Sequence, residues 1–465
     1  MIKFTNFDDK SLKKIQKYTE KSPYKVCDLS AGVLYMWNDV YNLTYAVYNQ
    51  TLILKCNFKN KMTAFFLPIG KDFDGALTKI EVYAQKNNIP LAFMCVEEKY
   101  LSVLSARYGE NINFEYSRDY SDYIYDYEQL KTLVGKKFSG QRNHINSFNK
   151  NYKNHKFKKL QKKDLVRAKA FLKEYKKEHK GGGRVERAEY KNTLKLIDNL
   201  SLAKYTAGYM EIDGKMCSLT VGEYAGETFI IHVEKALKNY KGIYPATFNA
   251  FVKACEKTDV NFINREDDSG DVGLRTSKTQ YQPIEIMHKY FVKVNKPMQI
   301  KKRPKLNGER LYLSKIKETD KNDYYKLYIN KSLNKYWGYD YKKDINFPTP
   351  DAFFNMQKND FIKKDNMCLG IFIKGEKNLI GEVVLHNFTY SNQVEVGVRL
   401  LKKYHGKGYG AEAVKLISLY AKNTLKKTPV SKCFKQNLSS FACLKKAGYK
   451  LKNADKTYYY LTFEG

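Results

Sequence analysis

From residue 393 the chain reads Gln-Val-Glu-Val-Gly-Val-Arg-Leu, then Leu-Lys-Lys-Tyr-His-Gly-Lys-Gly-Tyr-Gly, then an apolar-periodic run over 411–425. Val394, Val396 and Val398 alternate with Glu395, Gly397 and Arg399, the period of a half-buried strand. Gly406, Gly408 and Gly410 let the backbone turn tightly with several N–H groups outward before the helix begins. A strand that enters a helix through such a loop commits this part of the chain to an α/β layer. It also places free backbone N–H groups at a helix N-terminus, a ready site for phosphate or pyrophosphate. The spacing is neither the G-x-G-x-x-G of a dinucleotide fold nor the G-x-x-x-x-G-K-[ST] of a P-loop.

At 465 residues the chain has room for two to four cores. A hydrophobic fraction of 43% and an aromatic fraction of 14% exclude a disordered chain. The cysteines, at 27, 56, 95, 217, 255, 368, 433 and 443, sit mostly in apolar stretches such as Phe93-Met-Cys-Val. No C-x-x-C or Cys/His cluster occurs, which argues against a zinc site and a disulfide framework; no metal is expected. No run approaches the ~18 apolar residues of a membrane span. The opening Met-Ile-Lys-Phe-Thr-Asn-Phe-Asp-Asp-Lys lacks a signal-peptide core, so a cytoplasmic location is expected.

The formal net charge is +34, yet only 11 of the 83 basic residues are arginine. Where lysine is the default, an arginine is a choice for planar, bidentate pairing, which singles out Arg142, Arg184, Arg187, Arg265 and Arg275. The charge is also uneven: residues 131–190 hold 19 Lys/Arg against 5 Asp/Glu. Such density is an electrostatic footprint for a phosphate-bearing partner, such as tRNA, an anionic surface or coenzyme A. A solvated helical face is the other reading.

A linker is expected at 295–307, where two prolines and a run of basic residues separate two ordered stretches. Beyond it, strands near 310–316, 367–374, 379–388, 393–401, 429–433 and 457–463 alternate with helices, one of them opening at Asn437. Before it come two similar passes. One has paired strands over 43–57 and a strand at 91–96. The other has helices at 162–178 and 187–199, strands at 203–211, 216–224 and 227–234, a helix from 245 and a strand at 260–264. Mixed strand–helix order of this kind predicts α/β layers with mixed sheets.

The segment His405-Gly-Lys-Gly-Tyr-Gly410 resembles the coenzyme A pyrophosphate loop of the GNAT acyltransferase superfamily, Gln/Arg-x-x-Gly-x-Gly/Ala. Asn437-Leu-Ser-Ser440-Phe-Ala-Cys-Leu-Lys-Lys-Ala-Gly448-Tyr449 resembles the same family's N-x-x-S-x-x-x-x-x-K-x-G-[FY] element beside the pantetheine arm. The resemblance implies an N-acetyltransferase over 308–465, with acetyl-CoA as cofactor and a small-molecule or peptide amine as acceptor. It implies acetyl-CoA contacts from Val396, Val398, His405, Gly406, Lys407, Gly408, Tyr409, Gly410, Ala411, Asn437 and Ser440. Glu395 holds the position of a water-linked base. The family's usual acid for the leaving thiolate is a tyrosine where this chain has Leu444, so Cys443 and Tyr449 are the nearby candidates. His405 either binds the pyrophosphate as a cation or replaces Gln/Arg as a donor. Tyr336-Trp-Gly-Tyr339 is expected as acceptor-pocket wall or core.

Two further segments, Leu133-Val-Gly-Lys-Lys-Phe-Ser-Gly-Gln-Arg142-Asn and Asn264-Arg-Glu-Asp-Asp-Ser-Gly-Asp-Val-Gly-Leu-Arg-Thr-Ser-Lys-Thr-Gln-Tyr-Gln-Pro283, resemble the C-terminal domain family of phosphatidylglycerol lysyltransferase. The likeness covers about residues 1–293 and implies two GNAT folds in tandem. Three such folds are therefore expected, over 1–145, 146–294 and 308–465. Transferases of this class take an aminoacyl group from charged tRNA, while the donor used by this module is left unknown. Arg265, Glu266, Asp267, Asp271, Arg275 and Lys278 put three acids and three bases within fourteen residues, enough to orient an amine and bind an acyl-donor phosphate, or to fix a strand–helix junction by ion pairs. Together with Arg142 they are the expected site of the N-terminal module. Tyr240-Lys-Gly-Ile-Tyr-Pro has only one glycine, so a standard coenzyme A loop is not expected there. The competing reading is a non-catalytic RNA- or surface-binding module carrying an acetyltransferase domain.

Overall fold

The computed structural model describes residues 2–58, 62–178, 184–200, 204–255, 257, 259–337 and 348–465. Gly338 and Tyr339 lie outside them, as do the side chains of Arg184 and Arg187. The chain forms two compact units, Met1–Tyr83 with Ala92–Lys293 and Ala84–Leu91 with Val294–Gly465.

Among the described residues the strands form three eight-stranded sheets. In chain order they are β1 (Thr5–Asn6), β2 (Thr44–Tyr48), β3 (Thr51–Phe58), β4 (Met62–Phe65), β5 (Ile69–Gly70), β6 (Leu91–Glu97), β7 (Ile112–Tyr116), β8 (Asp122–Asp126), β9 (His155–Lys159), β10 (Thr206–Ile212), β11 (Lys215–Met216), β12 (Ser218–Ala225), β13 (Thr228–Ala236), β14 (Phe262–Asn264), β15 (Glu285–Met287) and β16 (Lys289–Val294). Then follow β17 (Leu306–Asn307), β18 (Leu311–Ser314), β19 (Met367–Ile373), β20 (Leu379–His386), β21 (Gln393–Leu400), β22 (Thr428–Phe434), β23 (Tyr449–Ala454) and β24 (Tyr458–Phe463). The first sheet runs β1-β2-β3-β4-β6-β16-β7 with β5 on β3. The second runs β11-β10-β12-β13-β14-β8-β15 with β9 on β10, and the third β17-β18-β19-β20-β21-β22-β24-β23.

The first two sheets share the chain across the boundary expected at 145/146. The backbone leaves the first sheet between β7 and β8 and returns between β15 and β16, so β8 joins the second sheet and β16 the first. The two crossings are clasped: Ser121 Oγ lies 3.0 Å from His288 Nδ1, and the Tyr116 ring stacks on His288 at 4.2 Å. Local pattern announces a strand but not the sheet it joins, which is why this exchange was invisible in the sequence.

Among the described residues each sheet contains a short parallel pair bridged by a crossover helix, as parallel neighbours require. β4 and β6 pair at Phe65↔Phe93 across the helix Phe73–Lys86. β13 and β14 pair over Thr228–Ile230 and Phe262–Asn264 across Ile243–Lys253. β21 and β22 pair over Gln393–Glu395 and Thr428–Val430 across Tyr409–Asn423. In the third sheet Val394, Val396 and Leu400 are buried with Ala411, Val414, Ile417 and Ala421, the i, i+3, i+4 stripe of that helix.

Candidate functional site

The three crossover helices begin differently. Phe73–Lys86 starts at Asp72, whose Oδ1 accepts the Gly75 N–H at 2.9 Å, so a carboxylate already fills that N-terminus. Ile243–Lys253 starts at Gly242 (φ 82°), pressed beneath the helix Ser139–Asn151: a Cβ there would stand 2.7 Å from the His144 carbonyl oxygen. Tyr409–Asn423 starts at Gly408 (φ 81°) with no side-chain cap. Gly406 (φ 78°) bends the loop before it, and a Cβ there would meet nothing within 4 Å. The first amides of this helix, at Tyr409, Gly410 and Ala411, are thus presented to a ligand.

Two cations flank that start. A Cβ on Gly408 would lie 3.3 Å from Arg310 Nη2 and 3.4 Å from Lys446 Nζ. Arg310 is fixed by Glu412 Oε2 at 2.9 Å and by the Lys407 carbonyl at 3.0 Å. Lys407 is exposed. His405 Nε2 lies 2.9 Å from the Leu400 carbonyl, which can only accept, so Nε2 carries a proton and the ring ties the loop to the end of β21. Cys443 Sγ stands 3.2 Å from the Cβ position of Gly410, and burial pushes its thiol up to about 11. Asn437 caps the helix Leu438–Lys446, its Oδ1 accepting the Ser440 N–H at 3.2 Å.

Beyond Glu395↔Val430 the strands β21 and β22 part. Ser431 Oγ donates to the Val396 carbonyl at 2.9 Å, so Val396 turns its polar groups toward β22, and alternation turns Val398 the same way. This opens a strand edge that continues toward the glycine loop.

On the other face of β20–β21, His386 stands opposite Glu395 in register, and Asn387 Nδ2 donates to Glu395 Oε2 at 2.9 Å. Burial lowers the His386 pKa despite the Glu395 charge, leaving a neutral imidazole at pH 7. Gly397 admits Trp337, which would lie 3.3 Å from a Cβ there, with His386 Nε2 at 3.7 Å. Arg399 pairs with buried Glu382, stacks on Tyr328 (4.0 Å) and Trp337 (4.4 Å), and donates to Asn334. Tyr336 packs on Phe434, centroids 5.6 Å apart. Tyr449 is placed elsewhere than a thiolate acid requires: it is 1% exposed within the core and its hydroxyl is spent on Ser418 Oγ at 2.7 Å. His386 and Arg310 stand outside the motifs read in the sequence, while Lys446 is the fixed lysine of the element Asn437–Tyr449, there given no role of its own. Counting back the hairpin register from Glu395 would have reached His386.

In the N-terminal unit, five consecutive residues each take a different partner. Asn264 Nδ2 donates to Asp122 Oδ2 at 2.8 Å. Arg265 Nε donates to Glu234 Oε2 at 2.9 Å, its guanidinium 4.4 Å from the Phe248 ring and 4.7 Å from that of Tyr281. Glu266 Oε1 lies 2.8 Å from His232 Nδ1, and Asp267 Oδ2 accepts from Lys289 at 3.1 Å. Asp268 is gripped by Arg275 (3.0 and 2.9 Å), Arg118 (3.2 Å) and Tyr123 (2.6 Å). Burial works against the Asp268 charge, but the Arg275 guanidinium, the Tyr123 hydroxyl and the Gly270 N–H hold its carboxyl well below the usual range. Lys278 Nζ donates to the carbonyls of Arg265 and Asp267, and burial with nearby Arg265 lowers its pKa. Asp271 caps the helix Val272–Thr279 through the Leu274 N–H. Arg142 lies outside this set, its guanidinium donating to the Leu133 and Gly135 carbonyls. The acid that meets Arg275 is Asp268, not its neighbour Asp267 expected from the sequence; two adjacent aspartates carry no local signal of which one the arginine takes.

Cys27, Asp28 and Asp122 bring ligand atoms within 4.8 Å of one another, as a metal site would. Lys289 Nζ, at 2.8 Å from Asp28 Oδ2 and 2.8 Å from Asp122 Oδ1, supplies the positive charge there instead.

Three sheets, each with a parallel pair and crossover helix, and an open glycine loop before the third helix define an acyltransferase of the GNAT type. The chain belongs to the phosphatidylglycerol lysyltransferase C-terminal family, whose model matches residues 19–293. A second model, the acetyltransferase (GNAT) domain, matches residues 310–450. A conserved protein of unknown function from Bacteroides thetaiotaomicron is 30% identical, with a TM-score of 0.59 over 63% of this chain and 100% of that one. L-PGS from Bacillus licheniformis is 16% identical, with a TM-score of 0.46 over 60% of this chain and 91% of its own. An uncharacterized protein of Mycoplasmoides gallisepticum is 29% identical over 199 residues, 42% of this chain; the chain spans 62% of that relative's length. Among the described residues no helix is long and apolar enough to cross a membrane.

Proposed function

We propose that residues 308–465 transfer an acetyl group from acetyl-CoA to an amine. In this reading the N-terminal unit moves an acyl group from an ester donor of the aminoacyl-tRNA class. The observation that carries the first reading is the contrast between the three crossover helices: only Tyr409–Asn423 joins an uncapped, glycine-opened N-terminus to two flanking cations, Arg310 and Lys446. The pyrophosphate would sit on the amides of Tyr409 to Ala411. The pantetheine amides would pair along the edge of β21 at Val398. The thioester supplies the activated acetyl group, and the chain supplies proton handling and orientation. An acceptor amine must be neutral to attack. His386, kept neutral by burial, would take its proton, with Glu395 beside it and Trp337 and Tyr336 as pocket wall. The Arg399–Glu382 pair holds Trp337 from below.

Calorimetry on the full chain tests this. Acetyl-CoA should bind, Gly408→Val should abolish binding by blocking the approach of the phosphates, and Lys407→Ala should weaken it only slightly. Absence of heat at millimolar acetyl-CoA would remove the reading. The 131–190 segment supports a phosphate-bearing partner for the N-terminal unit.

A further inference from the structure

Three titratable side chains of the second sheet lie in a line from the core outward. Glu223 on β12 and His232 on β13 have fully buried side chains, while that of Glu266, just past β14, is 26% exposed. His232 Nε2 is 2.9 Å from Glu223 Oε1, and its Nδ1 is 2.8 Å from Glu266 Oε1. Carboxylate oxygens accept, so both ring nitrogens carry protons and the imidazole is a cation between two anions. One positive and two negative charges leave the row with one excess negative charge. At its inner end Glu223 Oε2 is buried with no hydrogen-bond partner among the described residues.

The outer end is held rigidly. Glu266 has φ 58°, the left-handed region that a non-glycine residue enters only under strain, and such strain persists where surroundings over-determine it. Its N–H donates to Asn264 Oδ1 at 2.6 Å, and its carbonyl accepts from the Tyr123 N–H at 3.2 Å. Lys278 grips the carbonyls on either side. Gly32 closes the inner end: its N–H donates to Glu223, and a Cβ there would stand 2.5 Å from His232 Nε2.

We propose that Glu266 is the general base of the N-terminal unit, taking the proton of an amine or hydroxyl acceptor as that atom attacks the carbonyl of an acyl ester. His232 and Glu223 are positioning residues. The inference rests on reading this unit as an ester-consuming acyltransferase. The acceptor's N–H or O–H bond breaks, its bond to the acyl carbon forms, and the ester C–O bond breaks. The proton on Glu266 then passes to the leaving oxygen, so ester and acceptor become a new amide or ester and an alcohol with no net proton released. A proton arriving at Glu266 cancels the excess charge of the row, which favours its uptake. Burial opposes the His232 charge, but the hydrogen bonds its ring donates to the two glutamates raise its pKa to about 9, so the ring does not compete for that proton. Burial raises Glu266 as well, against the pull of His232 and Lys278 and with the push of Asp267.

The test uses the full chain with unfractionated aminoacyl-tRNA as donor and hydroxylamine as acceptor, reading aminoacyl hydroxamate above the uncatalysed rate. Glu266→Gln should lower that rate by 10²-fold or more. Glu266→Asp should recover part of it, with thermal unfolding unchanged. His232→Gln should shift the pH profile of the residual rate, which a purely structural role would not do. Equal rates for Glu266→Gln and the native chain would overturn the proposal alone. No acceleration by the native chain would overturn it together with the ester-transfer reading. Independently, nitrogen-15 spectra of the imidazoles should show one histidine protonated to about pH 9. Loss of that proton near the ordinary histidine value of about 6.5 would also overturn it.

Discussion

His386 and His232 are driven in opposite directions by what surrounds them. His386 meets one carboxylate, Glu395, and burial wins, so its ring is neutral at pH 7. His386→Gln keeps the size and a polar end but cannot accept the proton. It should lower kcat for acetyl transfer by ~10²–10⁴-fold, with the KM for acetyl-CoA unchanged, in steady-state kinetics with a saturating primary amine. His232 meets two carboxylates and they win. Its folded pKa of about 9 lies above the unfolded value of 6.5, so its stabilisation is complete below pH 6.5 and lost as pH rises through 9. The unfolding midpoint in urea should fall between pH 6.5 and 9, and His232→Gln should flatten that fall.

Among the secondary-structure elements, the sequence was legible wherever one face of a strand or helix is buried. The expected strands at 393–401 and 367–374 match β21 and β19 within a residue, because alternation there follows the pleat. β23 was not legible: after Tyr449 its residues are exposed, Leu451 among them, so no buried face marks it, and only pairing with β24 makes it a strand. The glycine loop was legible because positive φ at Gly406 and Gly408 demands the residue type. Its partners were not, since Arg310 and Lys446 reach Gly408 from other segments, and neither the 393–410 run nor the Asn437–Tyr449 element says that its side chains meet there. The short helix Ala31–Met36 shows the same limit. Its Gly32 looks ordinary in sequence, yet the helix approaches β12 and β13 so closely there that no Cβ fits. Gly32→Ala should cost about 1–3 kcal/mol in denaturant unfolding by overpacking, whereas Gly214→Ala, at a turn with open space, should perturb only its own positive-φ backbone.

For the whole molecule the question is whether a charge of +34 is a surface or a composition. The structure narrows the basic segment at 131–190. Lys158 and Arg167 are spent on Glu211, Lys131 on Glu128, and Arg142 on backbone carbonyls. Four of the segment's lysines line a hollow of about 560 Å³ between the helices Leu165–Glu178 and Arg184–Asp198, Lys169, Lys173, Lys176 and Lys177, together with Tyr190 and Leu194. Lys169 pairs with Asp198, and Lys176 lies 4.6 Å from the centre of the Tyr190 ring. Lysines beside an aromatic ring can hold a phosphate backbone and stack on a base. If the full chain binds tRNA there, log affinity should fall linearly with log salt, with a slope near −4 to −5 for about six phosphate contacts. Lys173→Glu with Lys177→Glu should weaken binding and flatten that slope by about two. The same reversal at Lys301 and Lys302, exposed in the linker, should change neither by as much. Equal losses from the two pairs would mean that the charge is spread over a lysine-rich surface, and that the hollow is no more a phosphate site than the linker is.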